Sequence, residues 1–509
     1  MDIKALNVPG MTVTTVEQIP AGAYRPPGGT QVFENLPAFC RVTATITAAP
    51  GSSIGIEVWL PSSGWNGCYL QVGTHGLGGE ITRTEMAPQL RRGFATSATD
   101  SGHAADHPFD SSWAIGSSPR IADFAWRSVH ELAVKAKKII AGHYRRPAAY
   151  AYYAGSSTGG RDGLKSAQMF PHDFDGILAG TAIQHFTRGA TQMLVTSQRL
   201  SAAGFQGSHG TALLGLVHQS VVAAYGGVHG AAATMTEDPG TGQWDPHSLV
   251  RRVGQDTNAW LSREQADAVA ASLAPLTDPV SHEVLFVGQP LASQQDWIDF
   301  ILQPAYSLAV YRMGLNRADW DGSTFDLRED LPVVETRLGT VNATDPDLSA
   351  FMAAGGKIIQ YQPWDDGVAY PQSIVNYYNA VLDRTTHGSR AAQQSFYRLF
   401  MMPGVSHTGS GPEPFNFGHG ALPPVSSDPE HDAVAALRAW VEQGIVPSKF
   451  IATKYVNDDP NQGVAMQRVL CPYPGKAVYR GAGDPNDPIN FTCGAPGAQG
   501  APAELTAAG

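Results

Sequence analysis

The segment AAYAYYAGSSTGGRDGLKSAQMF, residues 148–170, constrains the fold more than any other part of this chain. A buried apolar strand leads into Gly155-Ser156-Ser157-Thr158-Gly159, and a helical pattern follows. This order is typical of the sharp turn that exposes a nucleophilic serine at the edge of a sheet. Ser157 lies at the centre of the G-x-S-x-G frame, with Ser156 directly before it. The segment therefore predicts a nucleophile turn between a strand and a helix.

Strand and helix patterns alternate on both sides of this segment. Ile54, Ile56, Val58 and Leu60 alternate with smaller or polar residues, which predicts a half-buried strand within 51–61. Further strands are predicted within 67–79, 92–103, 355–367 and 395–411, and helices within 121–144, from Pro371 onward and within 428–444, the last with Asp428 as N-cap. Such alternation is typical of an α/β sheet.

The middle of the chain breaks this alternation. Residues 184–330 carry one clear helical pattern, at 261–274, between long irregular pieces. A chain of 509 residues is also too long for one ordinary compact core. We therefore predict an α/β-hydrolase catalytic domain formed by 1–183 and 331–509, with 184–330 as a lid domain.

A serine hydroxyl is a weak nucleophile at neutral pH and needs a histidine base, which in turn needs a carboxylate to orient it. In α/β-hydrolases these groups follow separate strands in the order serine, acid, histidine. Here Ser157, then Asp365 or Asp366, then His407 each follow a predicted strand. The order and the glycine placement together favour a serine hydrolase.

Catalysis of acyl transfer also requires backbone N–H groups that stabilise an oxyanion. The residue after the nucleophile, Thr158, is expected to supply one of them from a helix N-terminus. The glycine turn GTHGLGG, 73–79, is expected to supply the other from His75 or Gly76. A phosphate-binding role for this turn is disfavoured, because it lacks the Lys-Ser/Thr of a P-loop and a following helix pattern.

Charge and hydropathy limit the classes of binding partner that we expect for this chain. The formal net charge is −11 and no Lys/Arg-rich run is present, so we expect no nucleic-acid partner. No stretch approaches the ~18 consecutive apolar residues of a membrane span. The N-terminal residues lack the apolar centre of a signal peptide, which predicts a cytoplasmic protein. The partner that we expect is a small-molecule substrate.

Several blocks of the sequence resemble the tannase/feruloyl esterase family. They are GSSTGGRDGLKSAQMFPHDFDGILAGTA at 155–182, LPAFCRVTATI at 36–46, DPEHDAVAALRAWVEQG at 428–444 and CPYPGKAVYRGAGDPNDPINFTC at 471–493. The resemblance covers nearly the whole chain. It implies Ser157 as nucleophile, His407 as base and Asp366, rather than Asp365, as the acid. It also implies that Cys471 and Cys493 pair as a disulfide in an oxidising environment, whereas in a reducing one they would stay thiols.

The chain departs from the family pattern at two places. Ser156 and Thr408 replace two cysteines whose disulfide ties the nucleophile turn to the histidine loop in the family. VVAAYGGVHGA at 221–231 replaces a calcium loop, with Val222, Tyr225 and His229 at its acidic positions. Because calcium needs several oxygen ligands, we expect no metal there, and the sequence indicates no other metal or cofactor.

Three functions are consistent with these features. The leading hypothesis is hydrolysis of a carboxylic ester of a bulky, aromatic small molecule through an acyl-enzyme. The same residues would also suit an amide- or lactone-cleaving hydrolase acting on a specialised metabolite or toxin. A non-catalytic binding member of the fold is disfavoured by the complete set Ser157, Asp366 and His407.

Overall fold

The computed structural model describes residues 8–225, 244–252, 260–484 and 486–494. Its strands are β1 (Met11–Ile19), β2 (Gly22–Tyr24), β3 (Phe33–Leu36), β4 (Phe39–Ile46), β5 (Ile54–Pro61), β6 (Tyr69–Val72), β7 (Ala95–Thr99), β8 (Ala151–Ser156), β9 (Gly176–Gly180), β10 (Leu276–Thr277), β11 (Val284–Phe286), β12 (Lys357–Pro363), β13 (Tyr397–Met402), β14 (Phe450–Tyr455), β15 (Val464–Leu470), β16 (Lys476–Tyr479) and β17 (Phe491–Gly494).

The α-helices within the same ranges are α1 (Arg83–Arg91), α2 (Ser118–Ala122), α3 (Ser128–Tyr144), α4 (Thr158–Met169), α5 (Phe186–Ala202), α6 (Gly207–Tyr225), α7 (Arg263–Leu273), α8 (Gln294–Asp296), α9 (Ala305–Leu315), α10 (Leu327–Leu338), α11 (Ser349–Ala353), α12 (Pro371–Thr386), α13 (Arg390–Gln394) and α14 (Ala433–Gln443). None of the helices described is long and apolar enough to cross a membrane.

One large sheet organises the catalytic part of the chain. Its strand order is β1-β4-β5-β7-β6-β8-β9-β12-β13. The pairs from β1 to β7 are antiparallel, and those from β7 to β13 are parallel. Parallel neighbours need crossover connections, and helices such as α1, α3 and α4 supply them. The carboxyl ends of β8, β12 and β13 therefore lie along one edge of the sheet.

Helices cover both faces of this sheet, because successive strand residues point to opposite sides. Along β12, Ile358 packs in the cluster under α3, α4 and α12, whereas the next residue, Ile359, packs in the cluster under α1 and α14. Both isoleucines are fully buried. This arrangement confirms the α/β-hydrolase fold that the sequence predicts.

A third apolar cluster lies in the segment between β9 and β12. Its members from that segment include Phe186, Leu194 and Trp297, but it also takes in Trp113 and Val368 from the flanking parts of the chain. We refer to these residues as the shared cluster. The inserted segment thus packs on the catalytic part through a continuous core. The boundaries at 184 and 330 stay predictions.

Three expectations are corrected by the structure. The segment 184–330 is less irregular than expected, since it holds α5, α6 and α9 besides the predicted helix α7. The last predicted helix begins later, at Ala433, because Asp432 is the N-cap that accepts the N–H groups of Val434 and Ala435. Asp428 instead closes the preceding turn by accepting the N–H of Glu430 at 2.8 Å. The helical pattern of 121–144 is also interrupted by a π-helical turn over Asp123–Arg127 before α3 begins.

Candidate active site

The nucleophile turn connects β8 to α4. Ser157 has φ 59° and ψ −122°, a backbone conformation that residues other than glycine rarely adopt. The turn is held from one side, since the Ser157 N–H donates to the carbonyl of Gly180 and to Thr181 Oγ1, each at 2.9 Å. The predicted turn is thus present, with Ser157 at its apex.

Glycines flank the serine because the backbone is crowded there. A Cβ on Gly155 would lie 2.8 Å from the carbonyl of Gly159, and one on Gly159 would lie 2.9 Å from the carbonyl of Thr74. Real side chains do not tolerate such contacts. The G-x-S-x-G pattern therefore reflects close packing of β8, α4 and the loop after β6.

The three predicted side chains form one hydrogen-bonded chain. His407 Nε2 lies 3.0 Å from Ser157 Oγ, and His407 Nδ1 lies 2.9 Å from Asp366 Oδ2. Asp366 is fully buried, and its Oδ1 accepts the N–H groups of Val368 and Ala369 at 2.8 and 2.7 Å. Ser157 thus faces an imidazole whose far nitrogen lies beside a buried carboxylate, the arrangement that a serine nucleophile requires.

The sequence left Asp365 and Asp366 both open, and only the family resemblance favoured the second. The structure brings Asp366 to His407, while Gln362 donates to the same Oδ2 at 2.9 Å. The turn after β12 therefore presents Asp366 as the orienting group.

A second buried carboxylate, Asp296, approaches both loops from the inserted segment. Asp296 Oδ2 accepts the Gly367 N–H at 2.8 Å and the His407 N–H at 3.1 Å. Sequence reasoning missed this residue. Asp296 lies in a part of the sequence without a clear helix or strand pattern, and its partners are backbone groups that no residue pattern reports.

The expected oxyanion donors surround Ser157. Thr158 is the first residue of α4, so its N–H has no partner within the helix, and its Oγ1 donates to the Gly76 carbonyl at 2.6 Å. In the glycine turn, Leu77 and Gly78 donate to carbonyls, whereas in the described part of the chain no acceptor faces the N–H of His75 or Gly76. Both remain candidates for the second donor.

The serine opens into a cavity of about 340 Å³ between the sheet edge and the inserted segment. Aromatic and aliphatic side chains line it: Phe109, Ile183, Phe300, Tyr306 and Val368. Among the residues that the structure describes, no lysine or arginine lines this cavity. The space suits an uncharged, largely apolar group. Its lining from the inserted segment could not be located from the sequence.

Ser156 and Thr408 both border this cavity and a neighbouring one of about 190 Å³. They form no hydrogen bond with each other. Ser156 lines the smaller cavity together with Tyr361, and Thr408 Oγ1 lies 3.1 Å from Ser410 Oγ. The hydrogen bond between Ser157 and His407 therefore joins the nucleophile turn to the histidine loop without a bond between Ser156 and Thr408.

The double variant Ser156→Cys/Thr408→Cys is expected to crosslink under oxidant and to raise the melting temperature. Closing so long a loop contributes roughly 2–4 kcal/mol to the free energy of unfolding, less any strain. Mass spectrometry of the oxidised protein, followed by thermal melting with and without reductant, measures both effects. A double variant that keeps two thiols under oxidant would show that the two positions do not face each other.

Cys471 and Cys493 are joined by a disulfide with a Cα separation of 5.6 Å. They connect the loop after β15 to β17, a site away from the serine. The two other cysteines, Cys40 and Cys68, are buried thiols.

The replaced calcium loop lies partly outside the described residues. Val222 and Tyr225 lie at the end of α6, and His229 is not described. Across the described ranges, no group of three or more His, Cys, Asp or Glu side chains could hold a metal ion. The expected absence of calcium and of any cofactor stays a prediction, as does the cytoplasmic location.

The electrostatics of His407 predict a pH profile. Burial lowers the pKa of His407, but the charge and hydrogen bond of Asp366 and the charge of Asp296 outweigh it, so the pKa is raised. A protonated imidazole cannot accept the Ser157 proton, so kcat/KM for a neutral ester should fall as pH drops through this raised pKa, above the ordinary histidine value of about 6.5. Rates measured from about pH 5 to pH 9 test this. An acidic limb at or below the ordinary histidine value would contradict it.

Comparisons with known proteins relate nearly the whole chain to esterases. The family described as Tannase and feruloyl esterase matches residues 40–298 and 313–494. An uncharacterized esterase of Xanthomonas campestris pv. campestris is 36% identical over 97% of this chain and 90% of its own. A probable feruloyl esterase B-2 of Aspergillus terreus is 28% identical over 96% and 93%. The crystal structure of feruloyl esterase B from Aspergillus oryzae superposes with a TM-score of 0.88 at 27% identity, covering 97% and 98% of the two chains.

The fold and the site define an α/β-hydrolase that hydrolyses carboxylic esters. More narrowly, the chain belongs to the tannase and feruloyl esterase family, as the sequence resemblance indicated.

Proposed function

We propose that this esterase acts through an acyl-enzyme on Ser157 and that its substrates are esters of bulky, aromatic carboxylic acids. The observation that carries the proposal is the hydrogen-bonded chain Ser157–His407–Asp366, which opens into a cavity lined by Phe109, Phe300 and Tyr306. An aromatic acyl group would remove these side chains from water without needing a charged partner.

In the first half-reaction, Ser157 Oγ attacks the ester carbonyl carbon while His407 Nε2 takes the hydroxyl proton. The N–H of Thr158, with that of His75 or Gly76, stabilises the negative oxygen of the tetrahedral intermediate. His407 then gives its proton to the leaving alcohol, and the C–O bond of the ester breaks. A water molecule repeats these steps on the acyl-enzyme and releases the acid.

Relatives support the aromatic part of the proposal. The proteins described as feruloyl esterases are matched over nearly their whole length. Ferulate is an aromatic acid, and the apolar lining described above suits a ring of that kind. We therefore place the acyl group in the 340 Å³ cavity.

Matched ester and amide pairs test the proposed function. The methyl ester and the primary amide of one hydroxycinnamic acid differ only in the leaving group. The methyl ester of that acid and methyl acetate differ only in the acyl group. We expect hydrolysis of the aromatic ester, slower hydrolysis of the acetate and none of the amide. Faster cleavage of the amide would instead support the amide- or lactone-cleaving alternative. Equal rates for both methyl esters would contradict an aromatic acyl site.

A further inference from the structure

A short turn of the inserted segment contacts both reactive loops. Asp296 ends α8, and a π-helical turn over Trp297–Ile301 follows it. Trp297 is fully buried in the shared cluster, so the turn is anchored within the core of the inserted segment. The side chains of this turn that contact the catalytic part of the chain are therefore anchored by the buried shared cluster.

The Asp296 side chain lies between the two loops that carry His407 and Asp366. Its carboxylate accepts the backbone N–H of His407, at 3.1 and 3.3 Å from its two oxygens, and that of Gly367 at 2.8 Å. Asp296 is fully buried, so no water competes for these bonds. The Asp296 carboxylate thus connects Gly367, the residue after Asp366, to His407.

The approach is close. A Cβ on Gly367 would lie 3.3 Å from the Asp296 Cβ and 3.1 Å from the Ser293 Cβ. Phe300, from the same turn, packs its ring against the His407 imidazole with centroids 5.9 Å apart, edge to face. The turn therefore contacts both the backbone and the ring of the base.

Hydrogen bonds alone do not explain why the residue is an acid, since an amide or hydroxyl oxygen could also accept two N–H groups. A carboxylate in this position adds a negative charge beside the imidazole. Asp366 and His407 are the titratable groups that act on it: burial and the Asp366 charge raise the pKa of Asp296, and His407 lowers it. The two acids and the histidine form one electrostatic unit.

We propose that Asp296 is a positioning residue through which the inserted segment holds His407 and the Asp366 turn in the reactive geometry. Hydrolysis then requires this segment to be seated, and the segment does more than enclose the substrate. The inference rests on the proposed function, since it assigns Asp296 a role in Ser157 chemistry.

The test compares Asp296→Ala and Asp296→Asn with Asp299→Asn, a matched control whose acid is exposed on the same turn. We expect Asp296→Ala to lower kcat about 100-fold, as misplaced reactive groups do, with KM changed little. The rate at which a fluorophosphonate labels Ser157 should fall in parallel. Asp299→Asn should match the unaltered enzyme.

The pH profile separates positioning from simple loss of folding. Removing a negative neighbour lowers the pKa of His407, so the acidic limb of kcat/KM should move to lower pH in both Asp296 variants. Asp296→Asn preserves size and one acceptor, so it keeps the test open if Asp296→Ala does not fold. An Asp296→Asn enzyme with unchanged kcat and an unchanged limb would overturn the inference. Failure of the unaltered enzyme to hydrolyse any ester or to take up label would instead overturn the proposed function.

Discussion

Ser157→Ala is expected to lower kcat by a factor on the order of 10⁴–10⁶ and to leave the fold intact. The hydroxyl is the atom that faces His407 Nε2 at 3.0 Å, and no other hydroxyl is recorded in hydrogen-bond contact with that nitrogen within the described residues. Alanine removes only that atom, and the N–H bonds that hold the turn are unchanged. Residual rates on an activated ester, with circular dichroism and melting of the purified variant, measure both parts of the prediction.

Ser156→Ala is the matched control. Ser156 precedes the apex of the turn, and His407 Nε2 faces Ser157 instead, so removing the Ser156 hydroxyl should change kcat little. A fluorophosphonate should label the unaltered enzyme and Ser156→Ala but not Ser157→Ala. Turnover retained in Ser157→Ala, together with an inactive Ser156→Ala, would reverse the assignment of the two serines.

The second large effect is expected from Asp366→Asn, with kcat lower by about 10⁴. The NH₂ group of an amide cannot accept the His407 Nδ1–H. A neutral amide also lacks the negative charge that would stabilise the imidazolium formed when Ser157 attacks. Because Oδ1 keeps its bonds to Val368 and Ala369, the turn itself should persist. KM should change less than kcat, which steady-state kinetics on one aromatic ester would measure.

Asp365→Asn provides the control for this experiment, since Asp365 is the adjacent acid and is also buried. It should retain most of the activity. If Asp365→Asn were inactive and Asp366→Asn active, Asp365 rather than Asp366 would be the acid that orients His407.

Much of the fold could be predicted because several signals coincide at the same residues. The strand ending at Ser156 is apolar, the turn has glycines where backbone segments touch, and α4 follows at once. Helix boundaries were less accessible. Asp428 and Asp432 are one helical turn apart, and either could cap α14 on residue type alone. The choice depends on where the preceding loop leaves the sheet.

The site divides in the same way. The order Ser157, Asp366, His407 is a property of the chain, and the structure brings the three together. The position of Asp296 in the site, by contrast, depends only on how the inserted segment packs. In the sequence Asp296 is one acid among many, and only the packing of the inserted segment on the turn after β12 brings it to Gly367 and His407. Contacts between a side chain and distant backbone N–H groups leave no periodic trace in a sequence.

The shared cluster has a consequence for protein engineering. Leu77 from the glycine turn, Trp113, and Val368 beside the acid turn pack in the same core as Phe186 and Trp297. The inserted segment is consequently not a cassette that could be exchanged between relatives at residues 184 and 330. A chimaera cut at those points would join two half-cores whose side chains come from different sequences and need not fit each other. Substrate range in this family would then evolve more readily by single changes along the cavity wall than by replacement of the whole segment.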